Sequence, residues 1–120
     1  MVLVIDDEAS VRRMIADVLE TFGFIVMPAE ASADGLACAQ TQRPDVVLCD
    51  IVLPDALGFD TAKTLNEQPA TRDVPVILMT GYSYMRDFVR DSKWKLLSKP
   101  LTAQGILEAV TQALPSPSAA

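Results

Sequence analysis

Five side chains with chemistry to offer stand at the ends of short apolar runs in this 120-residue chain. Asp6 and Asp7 follow MVLVI, Asp50 follows Val46 to Cys49, Thr80 follows Val76 to Met79, and Lys99 follows Leu96, Leu97 and Ser98. If those runs are neighbouring parallel strands, their carboxyl ends open into one crevice, the place where such sheets bind ligands. Carboxylates gathered there repel and raise one another's pKa, so the cluster is costly unless a cation neutralises it. Oxygen ligands suit Mg2+, a hard ion that takes one or two carboxylates, several waters and phosphate oxygens. Lys99 adds a positive charge able to face a phosphoryl group, and Thr80 a hydroxyl able to hydrogen-bond one of its oxygens. The chain contains no histidine. That excludes Ser-His-Asp and Cys-His nucleophile pairs, histidine metal sites and any phosphohistidine of its own.

The elements that must hold these residues are legible as alternating strands and helices. Consecutive apolar positions at Met1 to Ile5, Phe24 to Met27, Val46 to Cys49, Val76 to Met79 and Leu96 to Ser98 suit strands buried on both faces. Val11, Met14, Ile15, Val18 and Leu19 follow helical spacing, with Gly23 as a stop. Ser32 is placed to cap a second helix carrying Leu36, Ala37 and Ala39. A third helix is predicted from about Phe59 to Asn66 and a fifth from Thr102 to Leu114, ended by Pro115. Tyr84, Met85, Phe88 and Val89 mark the apolar face of a short fourth helix. The fold class that follows is α/β, a doubly wound five-stranded parallel sheet with helices on both faces. Half the residues are apolar, enough for one domain with its own core.

Four motifs in chain order, IDDE at Ile5 to Glu8, DIVLPDALG at Asp50 to Gly58, MTG at Met79 to Gly81 and SKP at Ser98 to Pro100, resemble those of the receiver domains of response regulators and hybrid histidine kinases. The resemblance covers nearly the whole chain. It implies a flavodoxin-like strand order 2-1-3-4-5, a receiver domain at residues 1–114 and a flexible tail at 115–120. It further implies that Asp50 is the phosphoacceptor, and that Asp6, Asp7, Asp50 and the backbone carbonyl of Val52 hold Mg2+. Thr80 would close on the phosphoryl group, with Lys99 as its charge partner. The phosphoryl donor would be a phosphohistidine on a histidine kinase or a histidine phosphotransfer domain, and an unidentified downstream protein would read the switch. Such a domain is a signalling module, catalysing only its own phosphorylation and dephosphorylation. Two departures from the family pattern stand out: Leu96 occupies the place of the usual Tyr or Phe three residues before the lysine, and the stretch from Thr80 to Lys99 is short.

Other readings are weaker. A phosphatase of the haloacid dehalogenase kind needs a second Asp two positions after the nucleophile, where this chain has Val52. A degenerate receiver, acting as a phosphate-independent binding module, would be expected to have lost its acceptor or its lysine. A formal charge of −6 and the lack of a basic stripe argue against direct contact with nucleic acid. No apolar run reaches the roughly 18 residues of a membrane span, and the opening segment meets acids too early for a signal peptide. The expectation is a cytoplasmic domain without membrane contact. Cys38 and Cys49 match no metal-ligand or redox spacing and read as packed thiols. Pro54 and Gly58 read as turn formers, and Trp94, Tyr82 and Tyr84 as loop aromatics.

Overall fold

Every apolar run forms a strand, and the segments between them return as helices over one or the other face of the sheet. The computed structural model describes residues 1–114; the expected flexible tail at 115–120 lies outside the described residues. In order the elements are β1 (Val2–Ile5), α1 (Ala9–Thr21), β2 (Val26–Ala29), α2 (Ser32–Gln42), β3 (Val46–Asp50), α3 (Gly58–Glu67), β4 (Val76–Thr80), a 3-10 turn at Ser83–Met85 continuous with α4 (Arg86–Val89), β5 (Lys95–Ser98) and α5 (Ala103–Ala113). The strands are parallel in the order β2-β1-β3-β4-β5.

β1, β3 and β4 are buried along their whole length, because alternate residues enter two separate cores. Leu3, Ile5, Val47, Cys49 and Leu78 pack with Ala39, Ala62, Leu65 and Val89 from α2, α3 and α4. Val2, Val4, Val46, Leu48, Ile77 and Met79 pack with Ile15 and Leu19 of α1 and Ile106 and Val110 of α5. Each of those two α1 side chains is fully buried, contributing about 2 kcal/mol relative to exposure. On the other face α2 lies so close to β1 that a Cβ on Gly35 would sit 2.3 Å from Ile5 Cδ1.

α1 stops where Gly23 adopts φ +89, a left-handed conformation that glycine reaches without steric cost. The Gly23 and Phe24 amides donate to the Glu20 and Leu19 carbonyls that the helix leaves open. α5 begins with Thr102, outside the helix, whose side chain accepts a hydrogen bond from the Gly105 amide at 3.0 Å.

Three expectations are corrected. β2 lies two residues later than the apolar run Phe24 to Met27, ending at Ala29 and including Pro28. It is an edge strand, and the Ile25 and Ala29 carbonyls, which flank Pro28's place in the alternation, accept from the Val2 and Asp6 amides. The N–H that Pro28 lacks is therefore one that would have faced away from the sheet, which is why proline is tolerated. Ser32 does not cap α2: it is the first helical residue, after an extended Ala31. Its hydroxyl instead meets the Thr61 hydroxyl of α3 at 2.6 Å in a buried pair. In the fourth helical segment only Val89 is buried, while Tyr84 and Phe88 are 59% and 68% exposed; one turn of 3-10 and one of α-helix are too short to turn four apolar side chains inward.

Candidate functional site

All five residues singled out at the strand ends converge at the carboxyl edge of the sheet. Asp6 follows β1 directly and is wholly buried, Asp50 is the last residue of β3 and is 8% exposed, and Thr80, the last of β4, is 2% exposed. Carboxylate oxygens of Asp6, Asp7 and Asp50 all lie within 4.8 Å of one another. Lys99, just beyond β5, brings its Nζ to 2.9 Å from Asp6 Oδ2 and 3.3 Å from Asp50 Oδ2, with Glu8 Oε1 farther off at 3.7 Å. Asp7, Glu8, Asp50, Val52, Thr80, Gly81, Tyr82 and Lys99 line the resulting open crevice.

Burial pushes the Asp50 carboxyl up and the nearby Asp6 adds to this, with Lys99 and the Val52 amide opposing. Burial also works against the Lys99 ammonium, but the hydrogen bond to Asp6 and the charges of Asp50 and Asp6 outweigh it, and its pKa is raised. One ammonium thus stands against three clustered carboxylates. That donor set, hard oxygens with an unbalanced negative charge, fits a divalent cation such as Mg2+.

Local hydrogen bonds aim these groups. Asp6 Oδ1 accepts from the Glu8 amide at 2.9 Å, so its other oxygen faces Lys99. Arg12 Nη1 donates to the Asp6 backbone carbonyl at 2.7 Å, while its Nη2 pairs with Glu30 at 3.5 Å. The Thr80 hydroxyl oxygen accepts from the Tyr82 amide at 3.1 Å, leaving its own hydrogen free to be donated into the crevice. The loop after β3 is closed by the Gly58 amide on the Ile51 carbonyl at 2.6 Å. A Cβ on Gly58 would lie 2.3 Å from the Asp50 carbonyl oxygen, so only glycine permits this closure. Cys49, next to the acceptor position, is a buried free thiol, pushed far above its usual pKa by burial and then by Asp50, Asp6 and Asp55. Leu96, on β5, is half-buried against the core that contains Val89.

Two contributors were not visible from spacing. Arg12 lies one helical turn past the acidic pair, where it reads as a solvated helix charge. Asp55, at the tip of the loop after β3, caps α2 across a sequence gap, its two oxygens accepting from the Ser32 and Ala33 amides at 2.8 and 3.0 Å. A carboxylate at a helix N-terminus is favourable, and these amides hold the Asp55 carboxyl below its usual range. A group depressed on folding stabilises the fold above its unfolded pKa, about 3.9 for Asp, and loses that contribution as pH falls through the folded value. The gap in melting temperature between wild type and Asp55→Ala should therefore be constant near neutrality and close in acid below about pH 4; a gap that widens in acid would contradict the cap.

The sequence model of the response regulator receiver domain matches residues 2–111. The chain belongs to this family. Among its relatives, the protein PilH of Pseudomonas aeruginosa is 33% identical over 116 residues, spanning 94% of this chain and 96% of PilH. The phosphate regulon transcriptional regulatory protein PhoB of the same species is 37% identical over 80 residues, 67% of the receiver but 35% of PhoB, so the receiver spans about a third of that longer relative. Among solved structures, the chemotaxis response regulator CheY4 of Vibrio cholerae superposes with a TM-score of 0.86 at 27% identity, covering 94% of this chain and 97% of CheY4. A response regulator receiver domain protein from Clostridium thermocellum gives a TM-score of 0.83 at 30% identity, covering 93% and 91%. The receiver is thus a CheY-like signalling module, and the strand order implied by the motifs is the order observed. Among the described residues no helix is long and apolar enough to cross a membrane.

Proposed function

We propose that this receiver takes a phosphoryl group from a phosphohistidine of a histidine kinase or phosphotransfer domain onto Asp50, and signals by a change in the loop after β4. The observation that carries this is the convergence of the Asp6, Asp7 and Asp50 carboxylates with Lys99 bridging two of them. An Asp50 oxygen attacks phosphorus in line, the bond from phosphorus to the donor's imidazole nitrogen breaks, and the product is an aspartyl phosphate. Asp6, Asp7, Asp50 and the Val52 carbonyl would hold magnesium, which when bound neutralises the carboxylates and charge on the phosphoryl oxygens. Lys99 pairs with one of those oxygens and so leaves Asp50 once that carboxylate is esterified. Thr80 donates its free hydroxyl hydrogen to another, and this pull on the end of β4 moves Gly81 and Tyr82. A shift between two arrangements of that loop and the short segment after it is what a partner would read.

The retained acceptor, lysine and hydroxyl, each turned into the same crevice, favour this reading over a phosphate-independent binding module. Intact-mass measurement after incubation with acetyl phosphate and magnesium tests it. One added phosphoryl group is expected on the wild type, none on Asp50→Ala and none in EDTA; equal labelling of the Asp50→Ala protein would end the assignment.

A further inference from the structure

The loop from Ile51 to Leu57 carries the backbone proposed to face the metal, and packing anchors it at Ile51 and Leu53, which are buried in the core, but not at its tip. Val52 is 50% exposed, and Pro54 and Asp55 are exposed. Within the loop the restraints are the Val52 amide on Asp50 Oδ1 at 3.3 Å, the Leu53 amide on the Ala56 carbonyl at 3.1 Å and the Gly58 closure. Among the described residues, what attaches the tip to the rest of the fold is the Asp55 carboxylate on the Ser32 and Ala33 amides.

What the tip is tied to is itself fixed. The buried Ser32–Thr61 hydroxyl pair locks the start of α2 to α3. Just upstream, the Ala29 carbonyl accepts from the Asp6 amide at 3.1 Å and Glu30 meets Arg12, which also holds the Asp6 carbonyl. The segment from Ala29 to Ala33 therefore braces two loops at once, the one bearing Asp6 and Asp7 and the one bearing Val52.

We infer that Asp55 is a positioning residue: by pinning the loop tip to the first amides of α2 it holds Val52 in register with Asp6 and Asp7, and so sets the affinity of the acidic pocket for magnesium. This rests on the proposed magnesium site. Residues that orient metal ligands without touching the metal cost about 10- to 100-fold in affinity when removed, and Asp55 belongs at the low end because the Gly58 closure persists without it. Asp55→Asn keeps one acceptor oxygen and loses the charge, so it should fall between wild type and Asp55→Ala.

Two measurements on the intact chain decide it: calorimetric titration with magnesium alone, and hydrogen exchange of the Val52, Leu53 and Gly58 amides without metal. Asp55→Ala is expected to bind magnesium about tenfold more weakly and to exchange those amides faster, with Asp55→Asn intermediate in both. Asp34→Asn, which removes an exposed charge from the first turn of α2, should leave both near wild type. Equal exchange in all variants, or equal weakening by Asp34→Asn and Asp55→Ala, would overturn the inference. If the wild type binds no magnesium, the proposed metal site fails and the link to affinity with it, while exchange still decides separately whether Asp55 pins the loop.

Discussion

In magnesium-free buffer, Lys99→Met should unfold about 3 kcal/mol more easily than the wild type in urea. The reason lies in the asymmetry of the buried cluster. Asp6 is inaccessible to solvent and Asp50 nearly so, and the ammonium that bridges them at 2.9 and 3.3 Å is the positive charge closest to both. Removing one partner of a buried ion pair costs about 3–5 kcal/mol, because the charge left behind is uncompensated; the open side of the crevice, where Asp7 meets water, places this case at the lower end. Two further results should accompany the loss. Lys99→Met with Asp50→Asn should recover much of the stability, since one of the two stranded carboxylates is then neutral. Magnesium should also narrow the gap, because free ion at ten times its dissociation constant adds about 1.4 kcal/mol and the variant's more negative pocket binds it more tightly. Equal urea midpoints for wild type and Lys99→Met in EDTA would mean that Lys99 does not balance the cluster.

The phosphorylated state, once formed on Asp50, should be long-lived, and Val52→Asn combined with Tyr82→Glu should shorten it about tenfold, equivalent to about 1.4 kcal/mol in the barrier. Hydrolysis needs a water in line behind phosphorus, opposite the Asp50 oxygen. Val52 and Tyr82 stand in the wall of the crevice that Asp50, Thr80 and Lys99 line, and both are about half exposed, at 50% and 54%. Val52 offers an attacking water no hydrogen bond, and the Tyr82 ring narrows the approach. Polar side chains at both places would hold the water instead of excluding it. Decay of the labelled protein, followed by intact mass, gives the comparison directly. Unchanged decay in the double variant, with magnesium affinity and folding intact, would remove these side chains as the limiting element.

What was legible in the sequence is what directly abuts an apolar run. Asp6, Asp50, Thr80 and Lys99 each sit within a residue of a strand's end, so locating the strands located the site. The apolar run Phe24 to Met27 places β2 two residues too early, because the strand continues through Pro28, which only its position on the sheet edge, a property of the whole topology, makes acceptable. The fourth helix is short, as its spacing predicts, but the apolar face that Tyr84, Met85, Phe88 and Val89 announce is only partly turned inward, because a segment of two turns cannot bury it all. Asp55 was invisible as a cap because its amides lie at Ser32 and Ala33, and no local pattern pairs positions that far apart. Gly58 was expected as a turn former, yet its decisive property is the closeness of the Asp50 carbonyl, which only the packed loop reveals.

Pro28 has a consequence that reaches past the single chain. An open sheet has two borders, and a border strand with unpaired N–H groups is a template on which another chain can assemble. On the β2 border the outward N–H at position 28 does not exist, so an incoming strand would find its ladder broken in the middle of a four-residue stretch. The opposite border, β5, begins with an exposed Lys95, whose charge discourages docking there. Both borders of the sheet thus carry a feature that opposes edge-to-edge pairing, a missing donor on one and a charge on the other.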